Sequence, residues 1–427
     1  MKTKNLLSIA ITILTCIAST QAQNVNIPDG IFNSYLLNHP AIKTNGDSEI
    51  QVSEASVFNG GIYLYAGPGS GFGLLDGITD LTGIEAFVSL TYLDCSWNQL
   101  SSLNLSACTA LTYLNCSSNG LTSLDLSSCT ALTGLDCSYN QLTSLDVSNN
   151  TALIVLYCYN NGLTSLNVST NSDLTSLVCS SNQLTSLDVS SNTALTELYC
   201  SFNELTSLDV SANTALTGLG CGNNQLTTLD VSACSTLTSL DCSFNQLTSL
   251  DVSINSALTT LYCWNNLLTI LDVSANTTLI SFWCSSNQLT CLNVNNGNNI
   301  NMYIDSYYSF SAENNPNLSC IEVDDVAWSN ANWANIDSTA SFSLNCNCSG
   351  AGISDINESN EPMFYPNPTT GSIYLSEPAN ITLSDLSGKL LLEEKNTNQL
   401  DLSALPAGMY FLNIGENNQQ IVKVIKE

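Results

Sequence analysis

The sequence has almost no positive charge. Its 427 residues include 36 Asp and Glu against 7 Lys and Arg, all of them Lys, and the formal net charge is −29. Nucleic-acid binding proteins neutralise phosphates with clustered Lys or Arg, so this composition excludes nucleic acid as a partner. The single histidine, His39, leaves no imidazole pair for a metal centre or a proton relay. Paired acids remain as a catalytic option, but no pocket motif accompanies them, and we expect no enzymatic activity.

Long apolar runs are missing beyond the first 22 residues. Residues 1–22 join two lysines to an apolar run that ends at Ala22, which predicts a signal peptide cleaved before Gln23. Cys16 lies inside that run, but the residues around it make a poor lipidation signal. No later segment approaches the ~20 apolar residues of a membrane-spanning helix. We therefore expect an exported chain without a transmembrane segment.

One cysteine recurs every 21 residues through the middle of the chain. The ten are Cys95, Cys116, Cys137, Cys158, Cys179, Cys200, Cys221, Cys242, Cys263 and Cys284. Around each, Leu stands at −5 and −2 (Phe282 is the exception), Asn at +3, and Leu at +5 and +8. This is the LxxLxCxxNxL pattern of a leucine-rich repeat, followed by a second half that reads LxxLDVxxN.

Coils of this length have no room for a helix. We predict a mostly β fold over residues 81–305: a narrow solenoid of leucine-rich repeats with two short parallel strands per coil and a rise of about 4.8 Å. The Asn at +3 should turn inward and bond the backbone of its own coil and the adjacent one. The cysteines should form a buried column in which each thiol acts as a small apolar group.

The repeat and its cysteine column resemble internalin J and related bacterial surface proteins, over about residues 80–305. This resemblance implies adhesion or partner binding rather than chemistry. Three further cysteines, Cys108, Cys129 and Cys234, occupy the site where other second halves have Asn, as the repeat pattern allows.

Residues 23–80 are predicted to form a small α-helical N-terminal cap. Within it, residues 43–54 resemble a twelve-residue EF-hand or dockerin-type calcium loop. The ligands that this resemblance implies are Asn45, Asp47, the carbonyl of Glu49 and a bidentate Glu54. Lys43 replaces the first carboxylate and Ser48 replaces the turn glycine, and each change weakens binding. The alternatives are a weakened Ca²⁺ site and a structural relic, and no other cofactor is expected.

The end of the chain is predicted to contain a C-terminal cap (306–348), a linker (349–362) and an antiparallel β-sandwich (363–427). Disulfides in the cap are expected, with the pairing left open, among Cys291, Cys320, Cys346 and Cys348.

Several motifs after residue 362 resemble the type A C-terminal sorting domain of type IX secretion. They are Tyr365-Pro366-Asn367-Pro368, Gly371, Asp385-Leu386-Ser387-Gly388-Lys389, Leu405-Pro406-Ala407-Gly408-Met409-Tyr410 and Val422-Lys423-Val424-Ile425-Lys426. The resemblance implies the type IX machinery as a partner and a location outside the cell or on the outer-membrane surface. An ordinary adhesion module is the alternative.

The two halves of each coil differ in variability. The outward positions of the Cys half, and the loop that follows it, vary and carry aromatic residues. The candidate ligand-binding residues are Tyr92, Tyr113, Tyr157, Tyr199, Tyr262, Trp264 and Trp283. We interpret this surface as a recognition site for a protein or glycan on a cell or matrix surface. The alternative is an aromatic ladder that stiffens a structural spacer or matrix protein without a dedicated ligand.

The second half instead repeats an outward acid. The residues are Asp125, Asp146, Asp188, Asp209, Asp230, Asp251 and Asp272. Stacked like charges repel one another, so the acids are either screened by solvent or neutralised by Ca²⁺ or Mg²⁺ bound along the stripe.

Overall fold

The computed structural model describes seven segments of the chain. They are 23–67, 77–302, 310–346, 364–365, 371–385, 389–414 and 420–426. The chain divides into two compact units, Met1–Ala351 and Gly352–Glu427. The predicted signal peptide, the predicted linker and Cys348 lie outside the described residues.

The first unit begins with a small cap. Its elements are α1 (Gly30–Asn38), α2 (Val52–Ala55) and β1 (Gly61–Tyr63), followed by a 3₁₀ turn at Ile84–Ala86. The Asp29 carboxylate accepts the N–H groups of Ile31 (2.9 Å) and Phe32 (3.0 Å) and thereby caps α1. Glu54 accepts the N–H of Gln51 (3.1 Å) at the start of α2. The cap is helical as predicted, and β1 also covers the open edge of the solenoid.

The solenoid contains short parallel strands of two or three residues. In chain order they are β2 (Tyr92–Asp94), β3 (Tyr113–Asn115), β4 (Gly134–Asp136), β5 (Val155–Tyr157), β6 (Ser176–Val178), β7 (Glu197–Tyr199), β8 (Gly218–Gly220), β9 (Ser239–Asp241), β10 (Thr260–Tyr262), β11 (Ile270–Asp272), β12 (Ser281–Trp283), β13 (Cys291–Asn293), β14 (Phe310–Ser311), β15 (Cys320–Glu322) and β16 (Ser341–Ser343). The strands of the Cys half join β1 in one 12-stranded parallel sheet, which ends at β12 and β14.

The core is a continuous column of side chains from successive coils. In one typical coil, Leu195, Leu198, Cys200, Leu205 and Val210 are all 0–1% exposed. Each coil contributes the same positions because the 21-residue period returns every residue to the same place in the next turn. The helix-free solenoid and its buried cysteine column are therefore confirmed.

The second half of the coil differs from the prediction. Of the described second halves, only those at the C-terminal end form a sheet, in the order β11, β13, β15 and β16. In earlier coils the corresponding segment, most often Leu-Thr-Ser-Leu-Asp, makes no strand. Ile270 and Cys291 replace that Ser in β11 and β13. Ile favours strands more than Ser does, but Thr228 occupies the same position two coils before Ile270 without a strand, so this residue alone does not fix where the second sheet begins.

The C-terminal cap closes the stack with aromatic rings and a disulfide. A 3₁₀ turn (Asn299–Asn301) and helix α3 (Val326–Asn332) interrupt the strands. Trp333 is 5% exposed and stacks on Phe310 with ring centroids 4.1 Å apart. Cys320 and Cys346 form a disulfide, and Cys291 is disulfide-bonded as well. The expected disulfide-tied cap is therefore present.

The second unit is a small antiparallel sheet. Its strands are β17 (Phe364–Tyr365), β18 (Ser372–Ser384), β19 (Leu390–Asp401), β20 (Gly408–Ile414) and β21 (Gln420–Lys426). Long strand β18 pairs with β17, β19 and β20, so the described strands form one five-stranded sheet. The predicted antiparallel β arrangement of this unit is confirmed, and its strands enclose a core of their own that includes Ile373, Leu383 and Leu412.

Candidate binding surface

An asparagine ladder holds the Cys half of each coil in place. In one coil the Asn203 amide donates to the carbonyls of Cys200 (3.0 Å) and of Cys179 in the preceding coil (3.1 Å). Its carbonyl oxygen accepts the N–H of Leu184 (3.0 Å). Both ends of the amide are thus used, as the +3 pattern predicted, and the surface on this side of the coil has a rigid base.

The residue just before each of these asparagines, at position +2 after each cysteine of the column, has a left-handed backbone. The ten residues there are Trp97, Ser118, Tyr139, Asn160, Ser181, Phe202, Asn223, Phe244, Asn265 and Ser286, with φ between 51° and 58°. Asn tolerates this conformation, whereas bulky side chains adopt it rarely because their Cβ crowds the backbone. Four coils nevertheless place a large aromatic residue at this point.

These four aromatic residues project into solvent. The exposed fractions are 51% for Trp97, 51% for Tyr139, 58% for Phe202 and 39% for Phe244. Each therefore combines backbone strain with an exposed apolar side chain. We call these four residues the turn aromatics. The candidate ligand-binding residues did not include them. The signal that could have found them is their shared position, which the structure shows to be left-handed.

Most of the predicted ligand-binding residues pack on one another. Tyr92 and Tyr113 stack with ring centroids 4.8 Å apart and an interplanar angle of 8°. Near the other end, Trp283 lies 5.2 Å from Tyr262 and 6.3 Å from Trp264 between ring centroids. The structure thus gathers the predicted residues into two clusters on one sheet face.

The other two predicted tyrosines lie between these clusters. Tyr199 is 37% exposed, and its ring crosses Gly218 and Gly220 of the next coil, where a Cβ would come within 2.9 Å and 2.7 Å of it. Tyr157, at the same position two coils earlier, is half-buried. Tyr199 is the only one of the seven predicted residues that the structure classes as exposed.

An open cavity lies between the first coils on the same face. It has a volume of about 450 Å³, and its lining includes Asp94, Asn115, Asp136, Tyr65, Trp97, Tyr139 and Tyr159. Asp94 and Asp136 each accept, through Oδ1, the N–H of the Ser two residues later (3.0 Å in both cases). Burial, with a smaller contribution from the charge of Asp94, raises the pKa of Asp136. The cavity therefore combines carboxylates with aromatic rings.

The acidic stripe of the second half has a different character. Its carboxylates accept hydrogen bonds from the following Ser, as Asp209 does from the N–H of Ser211 (2.9 Å). Hydrogen bonds from the Ser211 side chain and backbone lower the pKa of Asp209, so the charged form is favoured. Asp209, Asp230 and Asp251 line another open cavity, of about 610 Å³, whose lining contains no aromatic residue.

In the N-terminal loop, a lysine occupies the centre of the calcium-like ligand set. The Lys43 ammonium contacts Asn45 Oδ1, Asp47 Oδ1 (2.5 Å) and both oxygens of Glu54 (3.5 Å). Its side chain is 8% exposed. Asp47 also accepts the N–H of Glu49 (3.0 Å). A tethered cation thus stands where Ca²⁺ would be bound.

The backbone of this loop also departs from the calcium pattern. The left-handed residue is Gly46 (φ 76°), and Ser48 is not left-handed. Burial acts to raise the pKa of Glu54, but hydrogen bonds from the N–H groups of Thr44, Gln51 and Asn45 outweigh it, so the pKa is lowered. In this structure the loop therefore places the Lys43 ammonium among the predicted calcium ligands, and Ca²⁺ binding there stays a prediction.

The thirteen free cysteines of the described residues are all buried. Burial raises the pKa of Cys200 to about 12 and that of Cys129 to about 11. Among the described residues, no group of three His, Cys, Asp or Glu side chains is placed to hold a metal ion. The buried cysteines therefore have the properties of unreactive core residues.

The first unit is a leucine-rich-repeat solenoid with a cysteine ladder, and the chain continues into a segment that matches a secretion domain. Residues 109–150 match the family model of Leucine Rich repeats (2 copies), and residues 363–427 match the Secretion system C-terminal sorting domain. No curated protein sequence matches the chain.

Two solved structures from Listeria monocytogenes are similar. The functional domain of InlJ, which includes a cysteine ladder, is 29% identical with a TM-score of 0.62, over 95% of this chain and 99% of that one. The internalin InlF is 19% identical with a TM-score of 0.52, over 80% of this chain and 100% of that one, and supports the fold alone.

Together these observations identify a secreted or cell-surface protein that carries a type IX sorting domain. Within the described part of the chain, no helix has the length and apolar character needed to cross a membrane.

Proposed function

We propose that the protein is a non-enzymatic adhesion or recognition protein, which binds a protein or glycan through the exposed face of the Cys half. The observation that carries this proposal is the row of turn aromatics. Trp97, Tyr139, Phe202 and Phe244 combine a left-handed backbone with an exposed ring. Asn or Ser at the same position in other coils shows that the fold does not need an aromatic side chain there.

A structural spacer is the second candidate. The parallel stacking of Tyr92 on Tyr113, with ring centroids 4.8 Å apart, supports it because such a ladder stiffens a sheet. Tyr139 and Phe244 contact the neighbouring rings of Tyr159 and Trp264. All four turn aromatics nevertheless stay 39–58% exposed on a left-handed backbone, which argues against a purely structural role.

The test replaces all four turn aromatics with Asn in the full mature chain. We expect binding to glycan arrays and to host-surface proteins to be lost. The melting temperature should stay the same or rise, because Asn relieves the strain of the left-handed backbone. A matched variant that changes Tyr199, Tyr262 and Trp283 to Ser probes the other aromatic rows. If the Asn variant still binds, the proposed recognition role of the turn aromatics is wrong. If it melts well below the unaltered protein, they have a structural role.

We also propose that the type IX secretion machinery is a partner through residues 363–427. The family match of this segment supports the proposal. Deletion of residues 363–427 should leave the protein inside the outer membrane of a bacterium with this pathway. Appearance of the truncated protein at the surface, detected by protease accessibility on whole cells, would contradict it.

A further inference from the structure

The solenoid contains carboxylates with no positive side chain anywhere near them in sequence. Residues 44–388 contain no Lys and no Arg. Lys43, the last cation before this stretch, already contacts Asp47 and Glu54 in its own loop. No side chain of residues 44–388 can therefore supply a positive charge to the acids of the solenoid.

The cavity of the first coils is where such acids meet aromatic rings. Asp94 and Asp136 belong to neighbouring strands on either side of Asn115 and line the same space. Trp97 and Tyr139 stand at its border, half exposed, and Tyr139 meets Tyr159 edge-on with ring centroids 5.1 Å apart. Exposed aromatic rings and carboxylates therefore line the same cavity.

This combination matches the chemistry of one side chain better than others. A guanidinium group stacks on aromatic faces and forms bidentate bonds with carboxylates, and Trp is the strongest aromatic partner for a cation. A neutral sugar would use the rings but would gain less from two carboxylates. The half-buried Asp136, whose pKa is raised, has an electrostatic cost that a cationic ligand would remove.

We propose that this cavity binds an Arg side chain from a basic segment of a protein partner. The proposal rests on the proposed function, since it names the class of ligand for one part of the same face. Charge complementarity also favours a basic segment, because the whole chain carries a net charge of −29 and draws such a partner from solution.

The experiment measures binding of a glycine-flanked triarginine peptide to the full mature protein by calorimetry. Changing both Asp94 and Asp136 to Asn should weaken binding about tenfold, as should Trp97→Asn alone. Asn115 already stands in this column, so Asn is compatible with the strand at both sites.

The matched control removes the same number of charges from the acidic stripe, by changing both Asp209 and Asp230 to Asn. Their cavity contains acids without aromatic rings. This control should weaken binding less than twofold. An equal loss in both double variants would mean attraction by net charge only, and the proposal would be overturned.

A glycan array run with the same variants separates this inference from the proposed function. If the protein binds a glycan through the turn aromatics but does not bind the peptide, the Arg site is wrong and the recognition face stands. If it binds neither the peptide, nor a glycan, nor a host-surface protein, both proposals fail.

Discussion

The two halves of each coil differ in strand formation, in hydrogen bonding and in the variability of their outward residues, although both repeat every 21 residues. The Cys half forms a continuous sheet, keeps its asparagines fully bonded and varies outside. The second half repeats nearly the same outward residues, and its strands begin only at β11. The comparison shows that the Cys half is the continuously hydrogen-bonded side of the solenoid, and it is the side to which we assign the proposed recognition role.

The buried asparagines give the largest expected contrast. Asn203 in the Cys half bonds through both ends of its amide. Asn213 in the second half donates to the carbonyls of Val189 (3.0 Å) and Asn192 (2.9 Å), while its Oδ1 is buried without a partner.

We predict that Asn203→Ala destabilises the protein by about 3 to 5 kcal/mol, because it leaves several buried backbone groups unpaired. Asn213→Cys should cost about 1 kcal/mol or less, because Cys234 occupies this site in the next coil and donates to the same kind of carbonyl. Urea unfolding of the two variants measures the difference. Equal costs would show that the two asparagine ladders hold the coil equally.

In the N-terminal loop, unlike either half of the coil, the acids Asp47 and Glu54 are paired with a cation, Lys43. We predict that Lys43→Asp lowers the melting temperature, because Asp47 and Glu54 lose their partner and gain a like charge. Added Ca²⁺ should then restore it by at least about 3 °C, since binding to the folded loop alone stabilises the fold. Calorimetry with and without 1 mM CaCl₂ (an amount on the order of that for extracellular calcium sites) provides the measurement.

The unaltered protein is the control for this loop, and its melting temperature should not respond to Ca²⁺. A response without the substitution would place a divalent ion elsewhere, with the acidic stripe as the first site to test. A variant that ignores Ca²⁺ would show that the turn at Gly46 has removed the calcium geometry altogether.

Cysteines of the two halves are also expected to differ in their contribution to stability, by a smaller amount than the asparagines. Cys200→Ser should cost about 1 to 3 kcal/mol, because it buries a hydroxyl in the apolar column. Cys234→Asn should change stability by less than about 1 kcal/mol, because Asn is native at this site in the adjacent coils. Thermal unfolding with matched preparations of both variants tests this. A large loss for Cys234→Asn would show that the second-half cysteines are packed as specifically as the column.

The smallest predicted effect concerns pH. A raised pKa in the fold means that ionised Asp136 costs stability above that pKa and ceases to do so as pH falls. The lowered pKa of Asp209 has the opposite sign, because its contribution is present above the unfolded value, about 3.9, and is lost as pH falls through the folded value.

Asp136→Asn should therefore be more stable than the unaltered protein at pH 7, and Asp209→Asn less stable. The Asp136 difference should vanish below the unfolded value, about 3.9, whereas the Asp209 difference should persist until the pH falls below its lowered folded pKa. Melting curves over this pH range give the measurement, and Asn104 and Asn115 show that Asn fits both columns. Shifts of the same sign would contradict the distinction between the two acidic columns.

Much of the fold was predictable because the period leaves few alternatives. Leu, Cys and Asn at constant offsets specify which side chains point inward, and the Asn203 bonds to two successive coils are those expected from the +3 position. The β11 boundary was not predicted. The residue at that position does not specify it, since Thr228 makes no strand there whereas Ile270 and Cys291 do.

The candidate site was predicted in outline only. The aromatic face was located, but Trp97 and Phe202 were not among the chosen residues. Their importance rests on the sign of φ at one turn position, and no residue type specifies that sign when Trp, Phe, Ser and Asn all occupy it. The ligand-binding role of the seven chosen residues stays a prediction.

By itself, the sequence determined the coil, its period and the buried column. These follow because apolar side chains recur at a constant spacing and the hydrophobic effect buries them. Only the tertiary structure decided which rings are covered and which remain exposed. Tyr199 lies across Gly218 and Gly220 of the next coil, whereas Phe202 stands on a strained turn with solvent around it. Such contacts join residues some twenty positions apart, so they exist only once the coils are stacked.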